Sequence, residues 1–275
     1  MKEKLTGLIL LVFMQINLIA QEPETIVFKK ADTVQLIMDV YYPQGYDTGE
    51  NYPALVFFFG GGWSGGDTKH FQNLAQYFAS RGMVVFAPEY RIAKKHGTSP
   101  FQALMDAKSA MRYIKHNANN FKIDTSRLVA GGGSAGGHLA AATALIEAYN
   151  DPNDNLNISP VPKALLLFNP VIDNGPGGYG YKRVGKAYKE FSPLHNLDSL
   201  APPTLFLLGT EDRLIPVETA AYYCTVMERT GGLCKLVLYE GAGHGFFNPR
   251  NPEFHQETIL ETDRFLQSLG IIDVP

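Results

Sequence analysis

The sequence predicts an α/β fold in which a mostly parallel sheet carries helices on both faces. Three observations point to it. Short runs rich in β-branched and aromatic residues alternate with helical patterns along the chain. The middle runs are apolar almost throughout, as in Leu55-Val56-Phe57-Phe58-Phe59 and Leu165-Leu166-Leu167-Phe168, which suits strands covered on both faces. Glycines stand just past several helical patterns, where a chain leaves a helix through a left-handed residue.

Taken in order, strands are expected over Val34 to Tyr42, Pro53 to Phe59, Met83 to Ala87, Arg127 to Ala130, Ala164 to Phe168, Thr204 to Leu208 and Lys235 to Tyr239. The first alternates apolar and polar residues and is expected at an edge. Helices are expected over His70 to Arg81, Pro100 to Asn117, Ala135 to Tyr149, Val217 to Thr230 and Glu253 to Leu269, with Gly82, Gly231 and Gly270 closing three of them. The stretch 169–200, which contains Gly175-Pro176-Gly177-Gly178-Tyr179-Gly180-Tyr181, fits neither period. It reads as an irregular cap over the sheet's carboxyl edge.

A chain of 275 residues has room for one large α/β domain, since such domains often run to ~250 residues. Charged residues are 19% and hydrophobic ones 45%, which supports an ordinary core and excludes the composition of disorder. A net charge of -3 without a basic stripe argues against nucleic acid as a partner.

Residues 1–20 differ from the rest. Lys2 and Lys4 precede an apolar run from Leu8 to Met14, and Ala20 stands before Gln21-Glu22-Pro23, the pattern of a signal peptide. Gln15 and Asn17 interrupt the run, leaving it short of the ~20 apolar residues of a membrane span. The expectation is export, with 21–275 as a catalytic domain in the periplasm or outside the cell, without stable membrane insertion after cleavage. Cys224 and Cys234 leave two alternatives open: a disulfide formed in an oxidising compartment, or two small apolar core residues. Neither has neighbours that suggest a metal site.

The chemistry concentrates in a glycine-rich turn. The strand ending in Val129-Ala130 runs through Gly131-Gly132-Gly133-Ser134-Ala135-Gly136-Gly137-His138 into a helix. Gly132-x-Ser134-x-Gly136 matches a nucleophile elbow, where flanking side chains would obstruct a sharp turn. A serine needs a base, and histidine titrates in the useful range. His244, in Gly243-His244-Gly245 directly after a strand, lies where open α/β sheets build sites. His138 is expected to pack, His195 lies in the cap stretch, and His70, His96, His116 and His255 are expected to be solvated. Asp212 and Glu211, after the strand Thr204 to Leu208, are the competing carboxylates for orienting His244.

Phe59-Gly60-Gly61-Gly62-Trp63 resembles the His-Gly-Gly-Gly oxyanion loop of lipases and esterases, with Phe59 where histidine is usual. With Gly62-Trp63, Pro88-Glu89-Tyr90-Arg91, Gly133 to His138 and Gly243-His244-Gly245, the chain resembles the α/β-hydrolase serine esterases, most closely the secreted acetyl xylan and feruloyl esterase-like branch. The resemblance spans nearly all of 21–275. It implies the α/β-hydrolase fold with an eight-stranded sheet, and the order Ser134, Asp212, His244 for the catalytic residues, Asp212 being favoured over Glu211. It implies amide donors from Gly61, Gly62 or Trp63 and from Ala135 for an oxyanion, and no cofactor. Glu89, Tyr90, Arg91 and Asp106 are expected to form a scaffold network. Trp63, Tyr179 and Tyr181 are expected as an aromatic wall for an acylated polysaccharide or oligosaccharide. The alternatives are a general short-chain carboxylesterase or lipase-like enzyme, and a prolyl-oligopeptidase-like peptidase, which would require a further propeller domain.

Overall fold

Apolar runs on alternating faces set the sheet. The computed structural model describes residues 22–31, 33–48 and 51–274; the expected signal peptide lies outside the described residues. Eight strands form one sheet: β1 (Glu24–Ala31), β2 (Val34–Tyr41), β3 (Tyr52–Phe58), β4 (Val84–Pro88), β5 (Ile123–Gly133), β6 (Ala164–Phe168), β7 (Thr204–Gly209) and β8 (Cys234–Tyr239). Their order is β1-β2-β4-β3-β5-β6-β7-β8. β1 and β2, and β2 and β4, pair antiparallel; the pairs from β3 onward are parallel.

The first correction concerns the edge. Val34 to Tyr42 was expected there, yet β2 is flanked by β4 and by β1, and β1 is the edge strand. The alternation in β2 arises because Asp39, among its apolar residues, accepts from Thr25 and Thr68 at 2.6 and 2.5 Å.

Helices are α1 (Gln72–Ser80), α2 (Ala93–His96), α3 (Pro100–His116), α4 (Ala135–Leu145), α5 (Tyr181–Val184), α6 (Tyr188–Phe191), α7 (Val217–Arg229) and α8 (Pro252–Ser268). On one face Leu55 and Phe57 of β3 join Phe78 of α1 and Leu266 of α8; on the other, Val56 and Phe58 join Leu104 of α3, Leu139 of α4 and Met227 of α7. This period-2 division of the core is the two-faced burial expected of a parallel sheet. Gly82, Gly231 and Gly270 all have φ between 64° and 85°, the left-handed exit that glycine makes without strain.

The second correction is the end of α4, expected at Tyr149 and found at Leu145. Lys108 of α3 donates to the carbonyls of Ile146, Glu147 and Ala148. A buried ammonium collecting three carbonyls overrides the helical propensity of that stretch.

Tyr90 donates to the Phe59 carbonyl at 2.7 Å. Asp106, fully buried, pairs with Arg91 at 2.7 Å and Lys29 at 2.8 Å. Glu89 accepts the Ile37 amide at 3.3 Å and pairs with Lys95. These residues therefore form the expected scaffold network, which ties β1, β2 and β4 to α3. Cys224 and Cys234 are joined in a disulfide, linking α7 to the start of β8.

His138 attaches the cap to α4. It is fully buried, stacks on Phe191 and donates its Nε2–H to the Phe191 carbonyl at 2.9 Å. Burial pushes its pKa down to about 4. Below the unfolded value of 6.5 the unfolded chain therefore takes up a proton that the folded chain refuses, so stability falls with pH from about 6.5 to about 4. The loss approaches about 3 kcal/mol. Thermal unfolding between pH 7 and pH 4.5 should show His138→Gln losing less of its midpoint than the wild type; parallel profiles would contradict this.

Candidate active site

Three strand ends converge. Ser134 lies between β5 and α4 with φ 55° and ψ -118°, a conformation that a residue bearing a Cβ holds only when its surroundings enforce it. They do so here: the Ser134 amide donates to the Phe168 carbonyl at 3.0 Å, and its carbonyl accepts from Val171 and His138. A Cβ on Gly136 would lie 2.0 Å from the Phe58 carbonyl oxygen, and one on Gly132 would lie 2.5 Å from Gly136. The glycines thus permit contact between the turn and the loop after β3.

His244 follows β8 and Asp212 follows β7. His244 Nε2 lies 3.0 Å from Ser134 Oγ, and its Nδ1 lies 2.8 Å from Asp212 Oδ2. The Asp212 carboxylate has no exposed surface, whereas the His244 side chain is 26% exposed. Leu214 and Ile215 donate their amides to Asp212 Oδ1 at 2.8 and 3.1 Å. One carboxylate oxygen is therefore fixed by the backbone and the other is left for the imidazole. Among the described residues, Glu211 makes no side-chain bond to the group; its amide donates to the Ala242 carbonyl.

The cleft above Ser134 measures about 310 Å³ and is lined by Gly60, Gly61, Gly62, His70, Asn169, Tyr179, Leu214, Phe247 and Arg250, among others. Among the described residues, the Gly61 and Gly62 N–H groups meet no acceptor. Ala135 begins α4 and presents an N-terminal helix amide. These are the donors an oxyanion requires. Trp63, Ser134 and Asn169 all have positive φ, so backbone strain gathers around the cleft.

The expected aromatic wall is not assembled. Trp63 is 1% exposed, with its ring against His138 and Phe191 and beneath the Arg183 guanidinium. Tyr181 packs toward Tyr188 and does not line the cleft. Tyr179 alone of the three does. Arg183 also donates to the Gly62 carbonyl, and the Tyr179 hydroxyl lies 2.6 Å from where a Cβ on Gly62 would be. The cap thereby grips the glycine loop.

Asn169 and His70 are among the residues of this site that escape sequence reasoning. Asn169 is buried after β6, and its Nδ2 lies 3.0 Å from both nitrogens of His244. Those nitrogens already aim at Asp212 and Ser134, so equal distances place the amide against the ring face. His70, expected to be solvated, accepts the Gly60 amide on Nδ1 at 2.9 Å. Burial lowers its pKa, keeping Nδ1 free to accept. A histidine from the segment after the glycine loop thus anchors that loop, where Phe59 cannot. His255 likewise donates to the Phe247 carbonyl, and His96 accepts from Ile92. His70→Phe should lower kcat by roughly tenfold to a hundredfold, with KM changed less, by loosening the donors near the reacting carbonyl. Unaltered kcat in steady-state kinetics would remove His70 from this role.

Among the described residues, no group of three or more His, Cys, Asp or Glu could hold a metal ion, and no helix is long and apolar enough to cross a membrane.

Comparison with known proteins places the chain in a family. Residues 38–175 match the BD-FAE family, and residues 169–268 match the prolyl oligopeptidase family. The acetylxylan esterase of Xylanibacter ruminicola is 26% identical over 231 residues, 78% of this chain and 45% of that protein. Esterase LipC of Mycobacterium tuberculosis is 27% identical over 70% of this chain and 53% of its own length. The chain spans about half the length of these curated relatives. A structure of Thermogutta terrifontis esterase 2 phosphoramylated by tabun superposes with TM-score 0.88 at 37% identity, covering 93% of this chain and 98% of that one. With a matching family model over half the chain and a solved esterase matched over 93% of it, the chain belongs to the BD-FAE family of α/β-hydrolase esterases.

Proposed function

We propose that this esterase works through Ser134 as nucleophile, His244 as base and Asp212 as the group that orients the histidine. The observation that carries the reading is the unbroken hydrogen-bonded series from Ser134 Oγ through both His244 nitrogens to the buried Asp212 carboxylate. Ser134 Oγ attacks the ester carbonyl as its proton passes to His244 Nε2, and the oxyanion faces the Gly61, Gly62 and Ala135 amides. The alcohol leaves with the proton from His244. Water, deprotonated by the same nitrogen, then attacks the acyl-serine, and the acid departs as Ser134 regains its proton. No step uses a cofactor.

The substrates we propose are polysaccharides bearing small acyl groups, acetyl or feruloyl, met by an exported protein. The similarity to an acetylxylan esterase supports the substrate class. The leader pattern in 1–20 supports export, as does the Cys224–Cys234 disulfide. A second reading, a general short-chain carboxylesterase, is favoured by the modest cleft. It is also favoured by the propionate- and butyrate-bound structures of the Thermogutta terrifontis enzyme.

The deciding experiment measures acetate and ferulate released from acetylated xylan and feruloylated arabinoxylan by the purified protein, beside p-nitrophenyl esters and a Ser134→Ala control. Serine-dependent release from polysaccharide is expected. Cleavage of p-nitrophenyl esters alone would replace the polysaccharide assignment with the second reading.

A further inference from the structure

We propose that Arg250 recognises an anionic group on the substrate, a carboxylate carried on the acyl or the alcohol portion of the ester. The proposal rests on the serine-esterase reading and adds a substrate class to it.

Arg250 lines the cleft that opens over Ser134, and no Asp or Glu lines that cleft with it. Its Nη2 lies 3.6 Å from where a Cβ on Gly245 would stand, so the guanidinium is one residue away from His244. The loop that presents it is pinned on both sides of the arginine: Asn248 donates to the Gly245 carbonyl at 2.6 Å, and Asn251 donates to the Phe246 carbonyl at 3.2 Å. Burial is the main cause lowering the His70 pKa; Arg250 adds to it, while Asp67, outside the lining, acts in the opposite direction.

Most of the other arginines are engaged; Arg213 and Arg229, like Arg250, have no carboxylate partner among the described residues, but neither lines the cleft. Arg81, Arg91, Arg112, Arg127 and Arg264 each meet a carboxylate within 3.0 Å, and Arg183 is turned onto Trp63, Tyr179 and the Gly62 carbonyl. Among the described residues, Arg250 has no carboxylate partner. A planar fork of donors fits a carboxylate in bidentate fashion. A guanidinium at the mouth of a cleft that no Asp or Glu lines therefore selects esters that bring their own negative charge.

The test compares kcat/KM of the wild type, Arg250→Ala and Arg250→Lys on three substrate pairs. The first is p-nitrophenyl acetate against p-nitrophenyl hemiglutarate, which places the carboxylate on the acyl side. The second is acetylated xylan against acetylated homogalacturonan, which places it on the alcohol side. The third repeats the pair that shows a preference at 0.5 M sodium chloride. We expect Arg250→Ala to lower the anionic-to-neutral ratio about tenfold in one of the first two pairs. Arg250→Lys should recover part of it, and salt should shrink the ratio in the wild type more than in Arg250→Ala. An equal ratio in wild type and Arg250→Ala on both pairs overturns the proposal. Absence of any Ser134-dependent cleavage in the wild type would instead overturn the esterase reading beneath it.

Discussion

Ser134→Ala is expected to reduce turnover of p-nitrophenyl acetate by about 10⁴-fold or more, with a thermal midpoint within a few degrees of the wild type. Among the described residues the hydroxyl bonds to His244, while the turn itself is held by backbone bonds to Phe168, Val171 and His138. Removing the oxygen therefore removes the chemistry and little of the packing. His244→Ala should lose about as much activity as Ser134→Ala, because residues that act as a unit are not additive. Asp212→Asn should fall by about 10⁴-fold, since an amide facing Nδ1 allows the wrong tautomer of His244. Comparable turnover in Ser134→Ala and wild type, measured against a matched empty-vector preparation, would reject the nucleophile.

The largest loss of stability is expected from one methyl group. Gly136→Ala would put a Cβ 2.0 Å from the Phe58 carbonyl oxygen and 2.4 Å from that of Phe59. Both obstacles are backbone, and the side chain has no rotamer with which to escape. Either β3 or the first turn of α4 must move, at a cost of more than about 3 kcal/mol. Gly243 is the control: nothing lies within 4 Å of its Cβ position, so Gly243→Ala should leave the urea midpoint nearly unchanged. Equal midpoints for the two variants would show that the strand and helix can separate at little cost.

What could be read from the sequence divides along the range of the interactions. The parallel sheet was legible because burial on both faces writes continuous apolar runs such as Ala164 to Phe168, which is strand β6 residue for residue. β1 was not, since its sequence Glu-Thr-Ile-Val-Phe-Lys-Lys-Ala exposes much of itself at an edge and carries little hydrophobic signal. Ser134, His244 and Asp212 were legible because each stands in a turn directly after a strand, and the fold brings such turns to one edge. Asn169 and Arg250 were not: an isolated polar residue in a loop has no periodicity, and Asn169 meets His244 across 75 positions. His70 was read as solvated because its neighbours Lys69 and Gln72 are polar. Its environment is set instead by Phe71 and Phe247, against whose rings it packs.

The grip of Arg183 and Tyr179 on Gly62 has a further consequence. Tyr179 helps set how much room the cleft offers, and the backbone it touches belongs to the loop that carries the unpaired amides. Size selection and charge stabilisation therefore share a mechanical linkage. A substitution that enlarges the cleft at Tyr179 will also shift the donors, and its benefit for a bulky acyl group will depend on what stands at positions 62 and 183. In a lineage of such enzymes these three positions would change together, and swapping one alone would expose epistasis instead of a new specificity.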